Sequence, residues 1–189
     1  MRTKLLLLLG PSGVGKSSVI GQLKMLDKRF VYINPLTTRP LRPGETDKVS
    51  VSDDALNRLW RAGAFVAVNE LYGVRYGTPR EPIIQAFRAA QFPVLDWPVR
   101  QVSQMEAAFP GDLLTVYIEP PSLPDLRNRL GSRGETGGRW AEAVSEAHDL
   151  RDGKFDQSIG LRIINAEGEV LQTALAIFAY YAQSIGIEG

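Results

Sequence analysis

The chain has 189 residues, 44% hydrophobic and 23% charged, enough for a single domain with a well-buried core. Its 22 basic and 21 acidic residues leave a net charge of +1, so bulk charge gives it no hold on nucleic acid or on a membrane surface. The absence of cysteine excludes disulfides, thiol catalysis and cysteine-based metal sites, no run approaches the roughly 20 apolar residues of a membrane span, and a cytoplasmic location is the expectation.

The first element is the leucine run Leu5–Leu9, which follows a basic MRTK and so raises the question of an export signal. A secretory core needs roughly 7–15 apolar residues followed by a small-residue cleavage site. Here five leucines run straight into Gly10, Pro11 and a lysine, the pattern of a short strand buried on both faces. A helix is predicted over 16–26 and a strand over 30–34, followed by a loop rich in Pro, Arg and Gly over 35–47. A short strand over 49–52 precedes a helix capped by Asp53 and reaching residue 61. Strands over 65–69 and 74–76 flank a turn at Tyr72-Gly73. A helix over 79–90, a buried strand over 92–97, a helix over 99–109 and a strand over 113–119 follow, the last closed by Pro120-Pro121. Ser122 caps a helix to residue 130, and the segment GSRGETGGR comes next. A helix over 140–150 carries the lone His148 as a solvated residue, and a strand over 161–164 and a helix over 168–184 complete the order. Alternating strands and helices predict an α/β fold with a parallel sheet flanked by helices. Residues 35–76 break that rhythm and read as a small β-rich insertion on a core made of 1–34 and 77–189, all within one domain.

GPSGVGKS, Gly10 to Ser17, fits the pattern G-x-x-x-x-G-K-[ST] without a mismatch. Gly10, Gly13 and Gly15 free the backbone to turn its N–H groups inward around a phosphate. Ser12, Val14 and Ser18 complete the cradle, Lys16 reaches the β- and γ-phosphates, and the Ser17 hydroxyl ligates Mg²⁺. The buried strand before the motif and the helix after it are the context such a loop needs, so nucleoside triphosphate binding is expected. A second cluster, TTRPLRPGE, sets Arg39 and Arg42 three apart in a segment stiffened by Pro40 and Pro43, which suits a second phosphate group.

With these motifs the chain resembles the guanylate kinase family nearly end to end. GPSGVGKSS and TTRPLRPGE are joined by GVRYGTPRE, by VLDW, by IEPPSLPDLRNRLGSRGET and by IIN at 163–165. The resemblance implies a P-loop kinase core, an acceptor-binding insertion and a mobile lid at about 131–139, which holds four glycines and two arginines. It also implies ATP and Mg²⁺: Lys16 and Ser17 at the triphosphate, Asp96 organising the metal's water shell, and Asn165 at the adenine. Arg39, Arg42 and Tyr76 would grip the acceptor's phosphate, with Thr78 a base contact. Arg133 and Arg139 would enter with the lid to neutralise the transferring group.

The departures sit at the base-reading positions. Ala67 stands where the family has a guanine-reading glutamate, Pro98 where it has a second aspartate, and Pro35 where it has a serine. The family's V-D-Y-H-F-like tyrosine has no counterpart, and Ala143 falls at a lid-side arginine position that only Arg139 is near enough to serve. Glu70 and Arg75 are candidate substitutes as base readers. Phosphate-gripping residues are kept while base-reading residues are lost. Three functions are therefore open: a kinase acting on GMP or another nucleoside monophosphate, a kinase of another phosphorylated small molecule such as ribose 1,5-bisphosphate, and a non-catalytic binding module. The intact phosphate loop favours an enzyme. A small phosphate-bearing acceptor is the expected partner, without nucleic acid or membrane, and monomer and homodimer remain open.

Overall fold

Five consecutive leucines form a strand because both of its faces are covered. In a computed structural model that describes residues 3–71, 73–132 and 137–186, Leu5–Leu9 (β1) lies in the middle of a sheet, and each of its leucines is fully buried. Leu6 and Leu8 face one core, built with Val19, Ile20 and Leu23 from helix α1 (Lys16–Leu26). Leu5, Leu7 and Leu9 face the opposite core. The period-2 alternation of a strand thus turns an unbroken apolar run into two layers of contacts, each leucine contributing about 1.5–3 kcal/mol of burial.

The chain continues through β2 (Phe30–Tyr32), β3 (Leu36–Thr37), β4 (Val49–Ser50), α2 (Asp53–Arg61), β5 (Phe65–Leu71) and β6 (Val74–Pro79). After α3 (Arg80–Arg88) and β7 (Phe92–Asp96), a 3₁₀ turn at Val99–Gln101 leads into α4 (Val102–Ala108) and β8 (Leu113–Glu119). Helices α5 (Leu123–Ser132) and α6 (Gly138–Arg151), a second 3₁₀ turn at Asp156–Ser158, β9 (Leu161–Ile164) and α7 (Val170–Ser184) complete it. The main sheet has the order β2-β7-β1-β8-β9, and its pairings are all parallel. Ala174, Ile177 and Tyr181 of α7 join α1 over one face, while Ile83 of α3, Val102 and Met105 of α4 and Leu150 of α6 close the other. This is an α/β fold with a central parallel sheet between helices.

A second sheet of order β4-β3-β6-β5 gathers the short strands of the middle region. Several local details differ from the sequence expectation. Leu36–Thr37 pairs with both β4 and β6 although its segment reads as loop, because the partners that make it a strand are distant in sequence. The second sheet runs past residue 76 to Pro79. Ser52, and not Asp53, caps α2: its Oγ accepts from the Ala55 N–H at 3.2 Å, and Asp53 and Asp54 fall in the first turn, where the helix dipole favours them. Ser122 does cap α5, accepting from the Asp125 N–H at 3.2 Å. The expected lid at 131–139 is entered from both sides by helix, with α5 ending at Ser132 and α6 starting at Gly138; residues 133–136 lie outside the described residues. Among the described residues no helix is long and apolar enough to cross a membrane.

Candidate active site

Parallel sheets present their loops at the C-terminal ends of their strands, and ligands collect there. A cleft of about 500 Å³ opens at that edge, between the loop after β1, the end of β7, the second sheet and α6.

The loop after β1 is shaped by positions only glycine can occupy. Gly10 has φ +124°, and a Cβ there would lie 2.4 Å from the Ile118 carbonyl oxygen on β8. Gly15 has φ +105°, and a Cβ there would lie 2.5 Å from the Asn165 amide nitrogen. Together with Ser12, Gly13, Ser17 and Ser18 they line the cleft, while Val14 is fully buried beneath it. Asn165, the residue that the resemblance put at an adenine, is only 2% exposed. Its Nδ2 donates to the Val14 carbonyl at 2.8 Å and its Oδ1 accepts from the Thr173 hydroxyl at 3.1 Å. With both ends of its amide committed to protein, Asn165 is a strut under the loop and not part of an open surface. Arg129 reinforces it, donating to the carbonyl oxygens of Val14 at 3.4 Å and Asn165 at 3.2 Å.

Lys16 begins α1 and folds back over the loop, its Nζ donating to the carbonyls of Gly10 at 2.6 Å and Pro11 at 3.0 Å. Burial pulls its pKa below the ordinary lysine value; the carboxylates of Asp96, Glu146 and Glu142 oppose that shift, and Arg139 adds to it. Asp96 ends β7 beside Leu8 of β1 and accepts the Tyr32 hydroxyl at 2.5 Å. Burial, and then the Asp96 charge, hold that phenol well above its usual pKa, so it stays a donor. Among the described residues no group of three or more His, Cys, Asp or Glu side chains could cage a metal. Among the oxygens that line the cleft are the exposed Ser17 hydroxyl, next to Lys16 at the start of α1, and the Asp96 carboxylate at the end of β7. That sparse all-oxygen set fits Mg²⁺, which keeps its waters and leans on a ligand's phosphates.

Across the cleft the second sheet presents the arginine cluster. Both terminal nitrogens of Arg39 hold the Glu45 carboxylate, at 2.7 and 2.6 Å, and Glu45 also accepts the Arg42 backbone N–H at 3.0 Å. The Arg39 hydrogen bonds draw Glu45 down to a pKa of about 2. The same contact raises the guanidinium's pKa, and the Tyr76 hydroxyl lies against it. The Arg39 Nε–H is buried without a partner. Arg42 and Tyr76 line the same cleft, as does Thr78, which is 3% exposed.

The structure thus brings the loop, Lys16, Ser17, Asp96, Arg39, Arg42, Tyr76, Thr78 and Arg139 to one cleft. Arg139, on α6, donates to the Ser12 hydroxyl at 3.0 Å. Arg133 lies outside the described residues. Glu70 is not in the cleft: it is exposed on the other face of β5, paired in register with Arg75, and the irregularity in β5 lies before Ala67 and does not turn it inward. Arg75 is also directed away, donating to Asn57 at 2.8 Å and Asp53 at 3.3 Å on α2.

Among the polar cleft residues that escaped the sequence reading are Glu45, Asp47, Lys48, Asn69, Glu142 and Glu146. Glu146 is 7% exposed, accepts the Tyr117 hydroxyl at 2.5 Å and has its pKa raised by burial. The spacing of Arg139, Glu142 and Glu146 puts all three on one helical face, a signal present in the sequence. Asn69 gave none, since which face of a strand it occupies depends on register.

The guanylate kinase family model matches residues 2–175. A guanylate kinase from a Nostoc species is 36% identical over 181 residues, covering 92% of this chain and 88% of that protein. One from Thermobifida fusca is 40% identical over 134 residues, covering 69% and 68%. The crystal structure of guanylate kinase from Anaplasma phagocytophilum superposes with a TM-score of 0.74 at 22% identity, over 96% of this chain and 86% of that one.

Proposed function

The chain belongs to the guanylate kinase family, and on that premise we propose that it transfers the γ-phosphoryl group of ATP to the phosphate of a nucleoside monophosphate. One observation carries the reading: a single cleft joins the phosphate loop with Lys16 to a second phosphate-binding group made of Arg39, Arg42 and Tyr76. Two phosphate sites facing each other across one cavity are what phosphoryl transfer between two anions requires, because the protein's work is positioning and charge neutralisation.

In this reading the loop N–H groups and Lys16 hold the β- and γ-phosphates, and Ser17 and Asp96 are the residues that would hold Mg²⁺. Bound there, the ion neutralises phosphate charge. Arg39 and Arg42 hold the acceptor, whose phosphate oxygen attacks the γ-phosphorus while the bond to the β-phosphate oxygen breaks. ADP leaves, a diphosphate forms, and no proton need move. Arg139, already at the loop through Ser12, is placed to meet charge on the transferring group; Arg133 shares that role by resemblance alone. Desolvation of Lys16 strengthens its attraction to the phosphates.

GMP is the acceptor named by the relatives, and it should be poorly held here. Its N1–H and N2–H₂ donors ask for carboxylate acceptors. The two positions in question are Ala67, packed in the core, and Pro98, which lines the cleft. Transfer to a base-free acceptor such as ribose 1,5-bisphosphate is the second reading, favoured by that same loss. A coupled ADP-release assay over a panel of phosphorylated acceptors tests the proposal, with Lys16→Ala as the control. Turnover should fall to background in the folded variant, and near-normal transfer by it would contradict the assignment.

A further inference from the structure

Where the base-reading carboxylates are missing, the cleft holds a different polar group. Asn69 is 6% exposed and lines the cleft, in register with Tyr76 on the neighbouring strand, while Thr78 lies on the same wall opposite Ala67. Asn69 therefore stands one pleat from Ala67 on the same face of β5, displaced toward the phosphate-gripping tyrosine. Among the described residues its carboxamide has no hydrogen-bond partner, and neither has the Thr78 hydroxyl. The amide's oxygen and nitrogen are not among the fully buried polar atoms left without a partner, so they open to the cleft, where a molecule that enters can pair with them. The surroundings suit a flat ring: Pro35, Leu71, Trp97 and Pro98 add apolar wall, and the Trp97 indole is fixed by donation from its Nε1 to the Gln101 carbonyl at 2.9 Å.

A carboxylate offers two acceptors, which match the two adjacent donors of guanine. A carboxamide offers one acceptor and one donor, which match a lactam edge, an N–H beside a C=O; guanine carries that edge too, but its 2-amino donors would then enter the cleft without the second acceptor that a carboxylate supplies. We propose that Asn69 reads the base of the acceptor, and that the site selects nucleoside monophosphates whose base presents a lactam edge without a neighbouring amino group, of the hypoxanthine or uracil type, over GMP. The inference rests on the phosphotransferase reading above. It makes Asn69 a specificity-determining residue, with Thr78 the second polar group within reach of the same ring.

The test is kcat/KM for IMP, UMP, GMP and base-free ribose 5-phosphate, measured on the wild type, Asn69→Asp and Asn69→Ala with ATP saturating. IMP and GMP differ by one amino group, so their ratio isolates the edge being read. The wild type should favour IMP over GMP by tenfold or more. Asn69→Asp, nearly isosteric, should invert the ratio, and Asn69→Ala should bring it toward unity, with the KM for ATP unchanged in both. A ratio that Asn69→Asp does not move would overturn the inference, as a merely structural Asn69 would lower all acceptors together. Ribose 5-phosphate turned over as well as the nucleotides would also overturn it while leaving phosphoryl transfer standing. ADP release with none of these acceptors, and none with ribose 1,5-bisphosphate or the remaining nucleoside monophosphates, would instead sink the phosphotransferase reading itself.

Discussion

Arg39 spends both terminal nitrogens on Glu45, yet it is one of the residues assigned to an incoming phosphate. The pairing fixes the guanidinium plane before the acceptor arrives, so less side-chain entropy remains to be lost on binding. Glu45 has a pKa of about 2 in the folded protein, below the ordinary 4.5. A depressed carboxylate contributes stability that is fully present above the unfolded-state value and is lost as pH falls through the folded one. Glu45→Gln should therefore cost about 1.5–3 kcal/mol at neutral pH, the scale of hydrogen bonds to charged groups. The gap between wild type and variant should close between about pH 5 and pH 2, as urea unfolding across that range would reveal. The same variant should raise the acceptor's KM and spare that of ATP; a pH-independent gap would mean that Glu45 is not the latch. At this scale Lys16, Arg39 and Arg42 were legible in the sequence because a rigid motif fixes where they point. Asn69 was not, because the face it occupies depends on register, and for Glu146 only the helical spacing was visible, since its burial against Tyr117 comes from a partner far along the chain.

Among the elements, β1 was the plainest: a continuous leucine run needs two covered faces, and α1 with α7 on one side and α3, α4 and α6 on the other supply them. The two-residue strands β3 and β4 were the hardest, since they exist only through their pairings. The join between β9 and α7 carries a consequence for the nucleotide. Asn165 and Thr173 support Val14 from below, so the phosphate loop's shape depends on an element more than 150 residues away. Asn165→Ala leaves the Val14 carbonyl without its amide donor and should cost about 1–3 kcal/mol of stability. It should also raise the KM for ATP without changing that of the acceptor, as thermal melts and steady-state kinetics would register. Unchanged ATP affinity would show that the loop keeps its shape without the strut. Thr173→Val removes one neutral hydrogen bond and should have the smaller effect, about 0.5–1.5 kcal/mol.

For the molecule as a whole, two sheets divide the work. The parallel sheet and its helices set the phosphate loop and Asp96 at one edge, and the smaller sheet brings Arg39, Tyr76 and Asn69 to face them. The alternation of strands and helices made the first sheet readable in sequence, whereas the second is assembled by mixed pairings that no local pattern encodes. The arrangement has one chemical purpose in this account, to carry a phosphoryl group from one anion to another with water kept from the transfer. Phosphorus NMR of a single solution containing the protein, ATP, Mg²⁺ and a nucleoside monophosphate panel tests this most directly. The γ-phosphorus signal should disappear as the β-phosphorus of a new nucleoside diphosphate and the signals of ADP rise in equal amounts, with little inorganic phosphate. Inorganic phosphate rising alone, or ATP left intact beside every acceptor, would contradict the account.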